Sequence, residues 1–162
     1  MKAVSNSSVL ISLSTIGKLY LLHKRFPDGI IIPKAVWEEV VEAGSGRPGS
    51  VEVSSAKWVS VQEAADKSLV NLLRTELDQG EAEAVALAHE VKAKVVLLDE
   101  RDARSAAGRL GIRGLGTVGI LVWSKRAGLV ASLRNELDLL GSKGKFRLSL
   151  QLRARALSEA GE

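Results

Sequence analysis

Apolar residues fall along this chain in two rhythms. Short apolar runs bounded by turn formers predict buried strands over residues 2–5, 30–32 and 95–98, with a weaker fourth over 58–61. The run at 30–32 is framed by Pro27-Asp28-Gly29 on one side and Pro33 on the other. Between these runs the spacing turns helical. Residues 9–22 are almost continuously apolar and read as two helices broken at Gly17, and 35–43 follows Pro33, which suits a helix start. Residues 69–77 and 81–91 form two more, with Asp78-Gln79-Gly80 as the break between them. Ala103, Ala106, Ala107 and Leu110 make one helical stripe, and 118–125, 129–140 and 148–157 complete the set. Strands alternating with helices predict a central parallel sheet covered by helices. The stretch "GSGRPGS" at 44–50 is a flexible loop too short to divide domains, so residues 1–162 read as a single α/β domain.

In an open parallel sheet, ligands bind beyond the carboxyl ends of the strands. Two polar residues occupy that position: Asn6 after the first strand, in "VSNSS", and Asp99 after the third, in "VVLLDERDAR". Both also suit a helix N-cap, and Asp102 adds a first-turn acid. In "GEAEAVALAHEV", Ala84, Val85, Leu87, Ala88 and Val91 form one apolar arc at helical spacing; Glu83 and Glu90 fall opposite it, facing water, while Glu81 falls inside it. A carboxylate on the core side is costly unless paired, neutralised or bound to a cation. In "AVWEEVVEA", Glu38 and Glu39 flank the apolar arc almost symmetrically, so periodicity does not choose between them.

The chain has no cysteine and two distant histidines, His23 and His89, which excludes disulfides and sulfur-bound zinc and makes a histidine zinc site poor. Oxygen donors alone suit a hard cation, Mg²⁺ or Mn²⁺, of the kind that activates water and neutralises phosphate charge. Charge is shared unevenly: residues 1–81 sum to −1 and residues 82–162 to +5. A basic half favours an anionic partner. Arg101, Arg104 and Arg109 lie just after Asp99, and Lys125-Arg126 closes a later helix, a basic rim that would draw a nucleic-acid strand to acids it otherwise repels. Acids with a basic rim are the combination expected of a metal-dependent nuclease. No apolar run approaches the ~20 residues of a membrane span and no secretory signal opens the chain, so the expected location is the cytoplasm.

Five segments in order, "VSNSSVLISLSTIGKLYLL", "IIPKAVWEEVV", "LDQGEAEAVALA", "VVLLDERDARSAAGRLGI" and "GLGTVGILVWSKRAGLV", resemble the PIN-domain family, in particular small prokaryotic members akin to VapC-type toxins. The resemblance spans residue 3 to about residue 155. It implies a three-layer α/β/α fold and a Mg²⁺- or Mn²⁺-dependent ribonuclease acting on single-stranded RNA. Carried over position by position, the family's four acids correspond to Asn6, Glu39, Glu81 and Asp99, with Asp102 accessory and Ser8 a small polar support for the first. The departure is Asn6, where most of the family carries Asp; its amide oxygen can ligate but brings no charge. The resemblance also implies an antitoxin partner and a homodimer.

A catalytically silent module that binds RNA or a partner through its basic half is the alternative. Gly114, Gly116 and Gly119 match G-x-G-x-x-G, but no long strand precedes them, so they read as a turn rather than a dinucleotide site. His23 and His89 read as surface or packing residues without partners, Trp37 and Trp123 as core, and Trp58 as exposed. The aliphatic stretches 9–22 and 118–140 either pair two copies or cover the sheet.

Overall fold

The computed structural model describes residues 2–162. Along the chain run β1 (Ala3–Ser5), α1 (Ser7–Thr15), α2 (Tyr20–Arg25), β2 (Ile30–Pro33) and α3 (Lys34–Trp37), the last continued by a π-helical turn over Glu38–Glu42. Then come α4 (Ser50–Ser55), β3 (Val59–Gln62), α5 (Lys67–Leu73), α6 (Gln79–Glu90), β4 (Val95–Leu97) and α7 (Arg101–Arg109). β5 (Arg113–Leu115), α8 (Thr117–Arg126), α9 (Leu133–Lys143) and α10 (Leu150–Glu159) close the sequence.

All strands pair in parallel, in the order β3-β2-β1-β4-β5. Val4 sits centrally, opposite Ile31 on one side and Val96 on the other. Strand residues alternate between the two faces, as the pleat requires. Ala3, Ile30, Ile32, Val95 and Leu97 join a core with α1, α2, α8 and α9. Val4, Ile31, Val96 and Leu98 join a second core with α5, α6 and α7. The result is the expected three layers. The chain leaves β1 toward β2 and later returns on β1's other flank as β4, which puts the topological switch point between β1 and β4.

The structure corrects several local expectations. α6 begins at Gln79, since Asp78 caps it and Gln79-Gly80 lie inside the helix rather than breaking it. A fifth strand, β5, and the short α4 directly after the glycine-rich loop were not expected. Glu83 does not face water. α6 packs against α3, α5, α7 and the sheet, so Glu83 is 6% exposed, with its Oε2 unpartnered. The leucines of α1, α2 and α8, with Ile120, are buried within the fold, so these helices cover the sheet. His23 has a partner after all, stacking on Trp58 with ring centroids 5.3 Å apart, and Trp58 is half-buried. No helix among the described residues is long and apolar enough to cross a membrane.

Candidate active site at the carboxyl edge of the sheet

Asn6 follows β1 and caps α1. Its Oδ1 accepts from the Val9 N–H at 3.4 Å, a long bond, while its own N–H donates to the Leu97 carbonyl of β4 at 3.1 Å. The switch point thus fixes Asn6 by backbone on one side and by its cap on the other, and the residue is 3% exposed. Glu81 enters from α6 through a reciprocal capping box. The Asp78 side chain accepts from the Glu81 N–H at 2.8 Å, and Glu81 Oε1 accepts from the Asp78 N–H at 3.1 Å. Only one oxygen of the Glu81 carboxylate is used in that box.

Glu39 arrives from the π-helical turn, closed by the bond from the Ala43 N–H to the Glu38 carbonyl at 2.7 Å. Its carboxylate lies against Gly80 at the head of α6. Asn6, Ser8, Glu39, Asp78, Glu81 and Glu100 together line one hollow of about 310 Å³. Glu39, not Glu38, faces it. Asp78 and Glu100 were missed by sequence reasoning. The D-x-x-E spacing of Asp78 and Glu81 is a capping-box signature that signals the first, and Glu100 directly follows a strand-end acid.

Asp99 stands beside this hollow, turned to its wall. Its Oδ1 accepts from the Thr117 N–H at 2.7 Å; its Oδ2 accepts from Thr117 Oγ1 at 2.9 Å and from Ser8 Oγ at 2.7 Å. Three of roughly four lone-pair positions of the carboxylate are therefore taken by protein donors. Asp102 is exposed on the first turn of α7 and does not line the hollow.

The acids crowd one another. Burial pushes the Glu81 carboxyl above its usual range; the Asp78 N–H works against this, and the neighbouring charges of Asp78 and Glu100 add to it. Among the described residues no group of three or more acids and histidines is already gathered to grip an ion. In kind, however, the donors fit a hard cation: an amide oxygen and several carboxylates face one hollow, and no basic side chain lines it to offset them.

The basic residues are placed differently from the expected rim. Arg101 is exposed near the hollow, and the Arg104 guanidinium donates to the carbonyls of Leu98 and Asp99, bracing the end of β4. Lys125 donates to the Ala131 carbonyl at 2.7 Å and pairs with Glu162 at 3.6 Å. It and the exposed Arg126 lie at the far end of α8, about 12–14 Å from Thr117 at 1.5 Å per residue. Arg109 pairs with Glu76 at the far end of α7. The structure brings none of these three to the hollow.

A family model described as a PIN domain matches residues 2–162. Among solved structures, the chain is similar to a PilT N-terminus domain protein from the hyperthermophilic archaeon Sulfolobus solfataricus P2, at 16% identity and a TM-score of 0.46, over 92% of this chain and 98% of that one. No curated protein matches the chain.

Proposed function

This chain belongs to the PIN-domain family, whose fold is of nuclease type, and from that premise we propose that it is a Mg²⁺- or Mn²⁺-dependent ribonuclease cleaving single-stranded RNA. One observation carries the reading: Asn6, Glu39 and Glu81, from three separate elements, open on one hollow at the switch point, with Asp99 at its wall. Asn6 Oδ1, Glu39 and Glu81 would hold the ion, with Asp99 alongside and Asp102 outside the ring of donors. Such an ion supplies an activated water and neutralises charge on the scissile phosphate.

The chain's own groups do the rest. Ser8 and Thr117 hold the Asp99 carboxylate in one orientation. Asp78 fixes the Glu81 carboxylate through the capping box, which uses only one of its oxygens and leaves the other to an ion or a water in the hollow. Asn6 contributes an oxygen without charge, so the ion is held less tightly than by an aspartate.

Labelled single-stranded RNA incubated with the purified protein tests this. Cleavage is expected with Mn²⁺, none with chelator, and none from Glu81→Gln or Asp99→Asn. No cleavage with Mn²⁺, by the protein or by Asn6→Asp, overturns it.

The Asn6 cap and the Asp99 carboxylate, three of whose acceptor positions are already taken, favour a second reading, a silent module that binds RNA or a partner protein. It predicts RNA affinity in chelator that Glu81 and Asp99 substitutions leave unchanged. An antitoxin partner and a homodimer belong to the same proposal; light scattering after gel filtration tests the latter.

A further inference from the structure

The free edge of the sheet carries a trough that the acidic hollow does not use. Its upper half, about 330 Å³, begins beside Asp99 and lies between β5–α8 on one side and Phe146, Leu148 and Leu152 on the other. Its lower half, about 580 Å³, is lined by Arg25, Arg113, Trp123 and Arg126. Leu115, Gly119, Val122 and Glu159 line both halves, so the two meet along β5 and α8.

The G-x-G-x-x-G glycines shape this trough. A Cβ on Gly114 would lie 2.7 Å from the Arg104 side chain, and one on Gly119 would lie 2.5 Å from Leu115 Cδ1. The missing carbons let the Arg104 side chain pack directly on β5 and Leu115 directly on α8.

Charge gives the trough its ligand class. Arg113, Arg126 and Arg147 form no ion pair among the described residues. Arg25 lies over the rings of Phe26 and Trp123, at 4.9 and 5.7 Å from their centroids. Two carboxylates face this surface: Asp99 at the top, already bonded, and Glu159, paired with Arg155 at 3.1 Å. Guanidinium groups spaced along an apolar floor, with a half-buried indole beside them, match a single strand's alternation of phosphate and base. A lipid surface asks for no such narrow floor, and an acidic peptide has no use for the indole.

We propose that this trough is the track for the strand flanking the scissile phosphate, running from Asp99 down α8 to a phosphate clasp of Arg25, Arg113 and Arg126, with the Trp123 indole beneath Arg25 as part of its apolar lining. The choice of RNA rests on the ribonuclease reading of the hollow; the trough's affinity for a polyanionic strand does not.

The protein carrying Glu81→Gln, kept in chelator, is titrated with U-rich RNA of about five and about fifteen nucleotides, spanning the usual single-strand site sizes. Adding Arg113→Glu with Arg126→Glu should weaken the longer RNA by tenfold or more and lower its salt slope by about 1.4, two contacts at about 0.7 each. The ratio of long to short affinity should collapse, and the milder Arg113→Gln/Arg126→Gln pair should give a smaller loss of the same sign. Unchanged affinity for the longer RNA in both double variants overturns the proposal. So does equal competition by polyglutamate, or binding to phosphatidylserine vesicles in place of RNA. If the protein without Glu81→Gln cleaves nothing with Mn²⁺ while the double variant loses affinity, the track stands and the ribonuclease reading falls.

Discussion

Ser8 Oγ donates to Asp99 Oδ2 at 2.7 Å, tying the first turn of α1 to the end of β4 across 91 positions of the chain. With the two bonds from Thr117, it makes the Asp99 carboxylate a junction between α1, β4 and α8 rather than a loose acid in a cleft.

Removing that hydroxyl should be felt in the fold as well as the site. The bond is half-buried and charge-assisted, so Ser8→Ala should cost about 1–2 kcal/mol, read as a lower urea midpoint. Cleavage should fall with it, and Ser8→Thr should recover most of both. An unchanged midpoint in the alanine variant would mean that the junction contributes nothing to stability.

Glu81 should oppose stability at neutral pH. Its carboxyl titrates near 4.5 when the chain is unfolded and higher when folded, because of burial and then its acidic neighbours. Its contribution to folding is therefore fully present below about pH 4.5 and is lost as pH rises through the folded value. Glutamine cannot ionise and can still accept from the Asp78 N–H. In chelator, Glu81→Gln should melt higher than the parent at neutral pH, and the gap should close as the pH falls. Mn²⁺ should raise the parent's melting temperature and leave the variant's unmoved. Thermal melts from about pH 4 to about pH 8 decide it, and a variant that melts lower at neutral pH refutes the account.

Asn6→Asp separates capping from ligation. Aspartate caps a helix as well as asparagine does, so α1 should persist by circular dichroism. The added charge should tighten Mn²⁺ by roughly tenfold, about 1.4 kcal/mol, and raise cleavage, while metal-free stability falls as one more carboxylate joins Asp78, Glu81 and Glu100. Calorimetric titration with Mn²⁺ reads the first effect.

The same Gly→Ala change should have opposite signs at two positions. Gly116 has an ordinary extended backbone (φ −98, ψ 179), yet a Cβ there would stand 3.0 Å from Asp99 Oδ1 and 3.3 Å from the Leu98 carbonyl. Gly116→Ala should displace the carboxylate, cutting cleavage several-fold and lowering the melting temperature. Gly108 lies inside α7 with nothing within 4 Å of its missing Cβ, so Gly108→Ala should stabilise the protein by about 0.5–1 kcal/mol.

The strand ends carrying Asn6 and Asp99 were legible because buried parallel strands are short, apolar and sharply bounded. β5 was not: Arg113-Gly114-Leu115 has one large apolar residue, and an edge strand needs no more. Glu83 was misread because helical periodicity assumes one wet face, and α6 has none over residues 81–88. The choice between Glu38 and Glu39 was closed to a 100° wheel because the chain widens into a π turn at that point, altering the angular step. The basic half was visible, but its placement was not. Charge counts ignore direction, and helices running back from the carboxyl edge carry Lys125 and Arg126 to the opposite end.

α6 is wrapped on every side, and its neighbour β1 lies in the middle of the sheet. Amide protons there should be the slowest of all to exchange with solvent. Asn6 and Glu81 are thus mounted on the last parts of the molecule to open, whereas Glu39 rides on an exposed turn beside a glycine-rich loop. By the same reasoning the hollow should open last at its floor and first at the wall that carries Glu39.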